Sequence, residues 1–467
     1  MVFSSLIFIF TFLPLALLAY YAAPKRLRNL MLLIASLLFY AWGEPIYIVI
    51  IVLTTIANYF FSLLIGKHDG RKTALVAFIA SLLVNLGTLF FFKYYDFAVE
   101  NLNQLFHLQI AVQNLPLPLG ISFHTFQTMS YVIDVYRRRV PVQRNFITYS
   151  TYIMMFPQMV AGPIVKYADI HEQLTGRQER LVLFGEGMKL FLIGLAKKVL
   201  LANNIALLWQ GVKATPSAEL SVLTAWLGIL AFAFQIYFDF SGYSDMAVGL
   251  GKMFGFNLPR NFNYPYISKN ITEFWRRWHI SLGSWFKEYV YIPLGGSREG
   301  RFRQYRNILV VWFLTGLWHG ASWNFIFWGL YFCLFVTLEK IFLLKWLEKM
   351  PSFFAHLYAL LVIVFGWVWF EFDQLGQGLA FASTLFGMGA HPLFDSNALY
   401  YLSTQGLFFI LLAFCSTPVL SLLGNYLKNK LGKYSVALVS LIYIVIFFVA
   451  IGCLVNESYN PFLYFRF

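Results

Sequence analysis

Residues 308–337 contain no Asp, Glu, Lys or Arg. It is one of several runs in the chain that reach or approach the roughly 20 apolar residues needed to cross a bilayer core as a helix. In hydrocarbon every backbone N–H and C=O must be satisfied within the protein, which leaves helices and closed barrels as the spanning structures. Continuous apolar runs of this length specify helices. Composition points the same way: 59% of residues are hydrophobic and only 12% are charged, against about a quarter charged in a soluble domain. The expectation is an all-α, polytopic integral membrane protein with about 12 transmembrane helices plus re-entrant and interfacial amphipathic helices.

The formal net charge is +14, but its placement argues against nucleic acid as a partner. Lys and Arg cluster in alternate connectors, as in Lys67/Arg71/Lys72 and Arg137/Arg138/Arg139/Arg144, while residues 371–404 hold none. This is the positive-inside pattern, which orients a chain in a membrane. With the basic connectors cytoplasmic, spans fall at roughly 2–22, 30–42, 46–65, 73–92, 116–136, 184–203, 219–238, 307–318, 322–338, 356–372, 405–423 and 435–455. Both termini are then extracytoplasmic. The piece 146–165 begins and ends beside basic connectors and is broken by Pro157 and Gly162-Pro163, so it reads as re-entrant. Segment 2–21 lacks a basic leader and a small-residue cleavage site, so it reads as a retained span. The whole of 1–467 reads as one integral-membrane domain: peripheral spans about 1–110, a core about 111–340 and C-terminal spans about 341–467.

The stretch between about 240 and 306 is the least lipid-like. Residues 271–290 fit one helix at 100° per residue. Phe274, Trp275, Trp278, Leu282, Trp285, Phe286 and Tyr289 fill one arc, and Glu273, Arg276, Arg277, Ser281, Ser284, Lys287 and Glu288 the other. That is an amphipathic, interfacial or re-entrant pattern.

Two of the eight histidines stand out. His319, in Gly316-Leu317-Trp318-His319-Gly320, lies inside the uncharged run, and an ionisable group at membrane depth is a functional candidate by default. Burial keeps such an imidazole neutral, the form that accepts a proton from a hydroxyl. His279, at the edge of the apolar arc, is the second candidate. His124 reads as a histidine satisfying helix-to-helix hydrogen bonds. No HExxH or other compact ligand spacing appears, so no metal is expected. Cys333, Cys415 and Cys453 each stand alone in apolar runs and read as packing residues. The Asp239-Phe240-Ser241-Gly242-Tyr243-Ser244-Asp245 segment reads as a helix start capped by Asp239 or Ser241, or else as an acidic tunnel mouth. Arg276, Arg277 and Arg298 are candidates for the phosphates of a cytosolic donor, although anchoring by anionic lipids is the favoured reading for most of the arginines in this stretch.

The segments Tyr237 to Asp245, Phe274-Trp275-Arg276-Arg277-Trp278-His279-Ile280-Ser281-Leu282, Tyr289-Val290-Tyr291-Ile292-Pro293-Leu294-Gly295-Gly296 and Gly316-Leu317-Trp318-His319-Gly320-Ala321 resemble the membrane-bound O-acyltransferase (MBOAT) superfamily. The likeness is to its bacterial alginate O-acetylation branch, and the tail Tyr459 to Phe467 is similar to that branch as well. The resemblance implies an essential catalytic His319, with His279 as the second characteristic position, and a tunnel joining the two membrane faces. Trp275, Trp278, Trp318, Asp239, Tyr243 and Asn324 become candidate tunnel-lining residues. Gly283 departs from the serine or similar small polar residue that the resemblance leads one to expect there.

The expected activity is membrane O-acetyl transfer. A cytosolic thioester, acetyl-CoA, is the donor, with no resident cofactor. The resemblance also implies an exported acetyltransferase or acceptor protein that serves an exopolysaccharide such as alginate, with the bacterial cytoplasmic membrane as the expected location. Rival readings are D-alanyl transfer to teichoic acid from a carrier-protein thioester, and a transporter without chemistry.

Overall fold

The computed structural model describes residues 1–160, 162–432, 434–456 and 463, and among them every regular element is helical. Among the described residues eight helices are long and apolar enough to cross a membrane, and a shorter apolar helix covers Phe8–Ala22. The chain divides into two compact units, Met1–Ile193 with Tyr243–Arg260, and Gly194–Gly242 with Asn261–Phe467.

The first unit opens with α1 (Leu13–Ala22), α2 (Arg28–Gly43), α3 (Ile48–Lys67) and α4 (Lys72–Leu89), which runs on through a π-helical turn into α5 (Tyr95–Phe106). Then follow α6 (Ile121–Tyr136), α7 (Phe146–Met154), α8 (Phe156–Met159), α9 (Tyr167–Gly176) and most of α10 (Leu181–Ala196). The spans at 2–22, 30–42, 46–65, 73–92 and 116–136 correspond to helices here, offset by a few residues. Polar side chains between α3 and α4 satisfy one another: Ser81 Oγ donates to Asn58 Oδ1 at 2.6 Å and Asn85 Nδ2 to the same oxygen at 2.8 Å. His124 Nε2 lies 3.0 Å from Thr54 Oγ1, the helix-to-helix bond expected of it.

The piece read as re-entrant is a broken helix under protein cover. α7 stops at Met154 and α8 starts at Phe156, ahead of Pro157. The Phe156 N–H at the break donates to Ser36 Oγ at 3.0 Å, and the Tyr152 carbonyl accepts from Gln127 Nε2 at 2.7 Å. Residues 148–160 are all buried. Irregular backbone of this kind is tolerated at depth only where protein covers it.

The second unit holds α11 (Asn203–Ala214), α13 (Ile271–Arg277), α14 (Ile280–Phe286), α15 (Arg301–His319), α16 (Trp323–Leu338), α17 (Leu344–Leu347), α18 (Ser352–Glu371), α19 (Leu375–Leu385), α20 (Ser396–Cys415), α21 (Val419–Leu431) and α22 (Tyr434–Asn456). α12 (Val222–Met253) is divided at Gly242.

Three sequence expectations are corrected here. Asp239 does not start a helix: α12 passes straight through it for 32 residues, because its charge is matched inside the unit. The span read as 307–318 is a 19-residue helix, since the turn bearing Arg301, Arg303 and Arg306 is helical too. At about 1.5 Å per residue it is near 28 Å long. The single amphipathic helix over 271–290 is two helices, α13 and α14, parted at Trp278-His279.

Candidate functional site

The parting of α13 from α14 is where His279 acquires its position. Its backbone takes the left-handed conformation, φ +45°, which costs a non-glycine residue about 1–3 kcal/mol and persists only when the surroundings enforce it. Asn261 does the enforcing. Its carbonyl accepts the Ile280 N–H at 2.9 Å, and its Oδ1 accepts the Ser281 N–H at 3.1 Å and the Ser281 hydroxyl at 2.9 Å. A second rung, Asn263 N–H to the Arg277 carbonyl at 2.9 Å, holds the other side of the break. The far end of α13 is fixed by Glu339, a buried carboxylate that accepts the N–H groups of Ile271 at 2.6 Å and Thr272 at 2.8 Å.

The same Asn261 oxygen stands 3.2 Å from His279 Nδ1. An oxygen already receiving two donors is an acceptor, so Nδ1 carries the proton and the lone pair of the neutral ring resides on Nε2. His279 lies outside the eight spanning helices, and burial pushes its pKa from the ordinary 6.5 down to about 3. It is a neutral imidazole across the physiological range. Phe240 meets it edge-on at 4.8 Å, and Trp318 lies 6.0 Å away.

His319 is placed by different means. It is the last residue of α15, and α16 returns directly against that helix. The two backbones touch at glycines: a methyl on Gly316 would run into the Phe325 carbonyl, and one on Gly329 into the Trp312 carbonyl and to 3.1 Å from Gly316 Cα. Around the His319 ring stand Trp328 at 4.9 Å, Trp318 at 5.1 Å and Phe370 at 5.3 Å, all edge-on. The residue is 4% exposed. A helix C-terminus carries partial negative charge and favours a cation there by about 0.3–1 kcal/mol. Trp318 contacts both rings and links the two histidines.

The other expected site residues are distributed unevenly. Trp275 packs against Trp312 at 4.9 Å, Phe332 at 4.9 Å and Trp328 at 5.5 Å. Trp278 packs against Trp367 at 4.9 Å and Phe262 at 5.1 Å. Asn324, buried, accepts from the Ser322 hydroxyl and donates weakly to the Trp369 carbonyl at 3.5 Å. Of the three, Trp275 packs against Trp328, a ring that itself meets His319. Asp239 forms a buried ion pair with Lys198 at 2.6 Å and accepts the Leu463 N–H at 2.8 Å. Tyr243 falls in the other unit, stacked on Phe3 at 4.5 Å. Arg277 is bound to Glu273 at 2.9 Å and to the Asn263 carbonyl at 3.1 Å, whereas Arg276 and Arg298 are exposed. Apart from Leu463, the tail 459–467 lies outside the described residues.

Sequence reasoning missed Asn261 and Glu339, which carried no local signal. Nor does a lysine within an apolar run, Lys198, announce by itself the partner it finds in Asp239. Among the described residues no group of three or more His, Cys, Asp or Glu is arranged to hold a metal ion.

The family model for membrane-bound O-acyltransferases matches residues 137–370. The chain is 40% identical over 410 residues to a protein of Azotobacter vinelandii named a probable alginate O-acetylase, AlgI, covering 87% of this chain and 82% of that one. A protein of the same name from Pseudomonas putida is 38% identical with both chains fully covered. The peptidoglycan O-acetyltransferase of Helicobacter pylori is 36% identical over 84% of this chain and 81% of its own.

Proposed function

This chain belongs to the membrane-bound O-acyltransferase family, and we propose that it moves an acetyl group from acetyl-CoA on the cytoplasmic side to an acceptor hydroxyl on the far side, for O-acetylation of an exopolysaccharide such as alginate. The observation that carries the reading is the pair of buried imidazoles joined through Trp318. In this reading His319 is the catalytic base. It takes the proton of the acceptor hydroxyl as that oxygen attacks the thioester carbonyl. The tetrahedral intermediate then expels the CoA thiolate, which recovers the proton from the imidazolium. The C–S bond breaks, an ester C–O bond forms, and no proton is gained or lost overall. The C-terminal end of α15 favours the imidazolium in the middle of this sequence.

His279 serves as the second member. Its Nδ1–H is committed to Asn261, which leaves Nε2 a hydrogen-bond acceptor able to orient a hydroxyl. The phosphates of CoA stay outside the bilayer, because carrying them through hydrocarbon is prohibitive; Arg276 and Arg298, both exposed, are the arginines available to them. The acceptor is a serine of an exported partner or a sugar hydroxyl. Both termini are extracytoplasmic on the positive-inside pattern.

The test is the full-length protein in liposomes with radiolabelled acetyl-CoA outside and an acceptor glycan or exported acceptor protein inside. His319→Ala should lose at least about 100-fold in transfer, the lower range for a general base, at an unchanged thermal midpoint. Unchanged acetyl transfer by that variant would refute the proposal. A D-alanyl-charged carrier protein outside separates the rival donor: label transferred from it, and none from acetyl-CoA, would reassign the donor. Flux of intact donor that survives loss of His319 would mark a transporter.

A further inference from the structure

A charged cavity lies in the first unit, at the polar ends of α3, α4 and α6. It encloses about 520 Å³ and is lined by Arg71, Lys72, Arg137 and Arg138, with Asp69 as its one carboxylate. Arg138 neutralises that carboxylate at 2.9 Å, which leaves three cations facing the cavity. The backbone is arranged to present them. Arg138 takes the left-handed conformation, φ +58°, which a non-glycine residue keeps only where its surroundings enforce it, and its guanidinium lies on Asp69. Helix α4 begins at this cavity with Arg71 as its first flanking residue and no side-chain cap, so the positive end of an 18-residue helix adds to the lysine and arginine charge.

Leu75 lines the same cavity, and from it an exposed apolar stripe runs down α4 through Ile79, Leu83 and Leu86. Their spacing puts them on one side of the helix. Charge at the mouth continuous with an apolar track along a span matches an amphiphile, and it exceeds what a soluble phosphate would need.

We propose that this cavity is a binding site for an anionic phospholipid, with the headgroup phosphate held by Arg71, Lys72 and Arg137 at the start of α4 and an acyl chain lying along Leu75, Ile79 and Leu83. The site is separate from the histidine pair and does not depend on the acyl-transfer reading.

The experiment is native mass spectrometry of the full-length protein released from a neutral detergent, titrated with phosphatidylglycerol, phosphatidylcholine or water-soluble glycerophosphate. Phosphatidylglycerol should be retained as a discrete adduct, phosphatidylcholine at least 10-fold more weakly, and glycerophosphate more weakly still. The variant R71Q/K72Q/R137Q should lose most of that preference, at about 5-fold per charge removed. Should the triple variant misfold, each single substitution is expected to weaken phosphatidylglycerol by about 5-fold, and Leu75→Gln to weaken the lipid without affecting glycerophosphate. Equal retention of phosphatidylcholine, or unchanged affinity in all the charge variants, overturns the proposal. Glycerophosphate binding as tightly as the lipid overturns it too, and would reassign the cavity to a soluble phosphate ligand.

Discussion

His319 and His279 share Trp318 as a neighbour but are held by opposite kinds of force. His319 is positioned by close packing: two glycines bring α15 and α16 into backbone contact, and rings of Trp and Phe close around the imidazole. His279 is positioned by hydrogen bonds across a break, with Asn261 serving as acceptor for both helix and ring. Packing tolerates no added volume and is indifferent to pH. A hydrogen-bonded station tolerates volume and depends on acceptor chemistry and protonation. The difference shows how one buried cluster can contain an imidazole set rigidly by its helix hairpin and a second whose tautomer is chosen by one amide oxygen.

The contrast breaks most visibly at the hairpin. Gly329→Leu forces a side chain into the Trp312 carbonyl and Gly316; overpacking of this kind costs about 1–3 kcal/mol when side chains can yield. Backbone cannot yield as readily, so transfer activity and the thermal midpoint should fall together. A leucine there with wild-type melting would show that the two helices are not held at contact distance.

Next in size is the amide. Asn261→Ala leaves the Ser281 N–H and His279 Nδ1–H without their acceptor, at about 1–3 kcal/mol for each buried group left unsatisfied. The expected result is a fall in kcat of at least about 10-fold, with partial recovery in Asn261→Asp, which keeps an oxygen at the position. Equal losses in both variants would argue that only shape matters there.

Smaller again, taken per pH unit near neutrality, is the pH response. Burial depresses the His279 pKa to about 3, while the unfolded chain titrates near 6.5. Stability from the neutral ring is therefore complete above pH 6.5 and is lost as pH falls toward 3, by up to about 1.4 kcal/mol per unit. Melting curves between pH 7 and 4 should show this slope, and His279→Gln should flatten it; a slope unaltered in the variant would place the titration elsewhere. The smallest effect is expected at Gly283, where an added Cβ meets nothing nearer than the Trp275 carbonyl at 3.8 Å. Gly283→Ser should leave activity and melting unchanged within error, and a clear loss would mean that the turn after His279 is tighter than its contacts indicate.

The helical framework was legible because membrane spans announce themselves locally, in runs of apolar residues. His319 was legible for the same reason: an ionisable group stands alone in an uncharged run. The break at Trp278-His279 was not, because α13 and α14 keep their apolar residues in a phase that reads as one continuous helix. What parts them is Asn261, 18 residues before His279, and no local pattern encodes that bond. Asp239 misled for a related reason. A carboxylate at the end of an apolar run reads as a helix boundary until its partner on another helix is known. Tyr243 shares the motif of Asp239 but belongs to a different unit of the fold, a division that a contiguous motif conceals.

The Lys198–Asp239 pair also constrains how the chain enters the bilayer. Each ion belongs to a different spanning helix, Leu181–Ala214 and Val222–Met253. Presented alone to lipid at mid-depth, either one carries an insertion penalty of about 2.5–3.5 kcal/mol on translocon scales. Side by side they are neutral. Inserted together as a helical hairpin, the two segments would therefore carry a smaller penalty than either would alone.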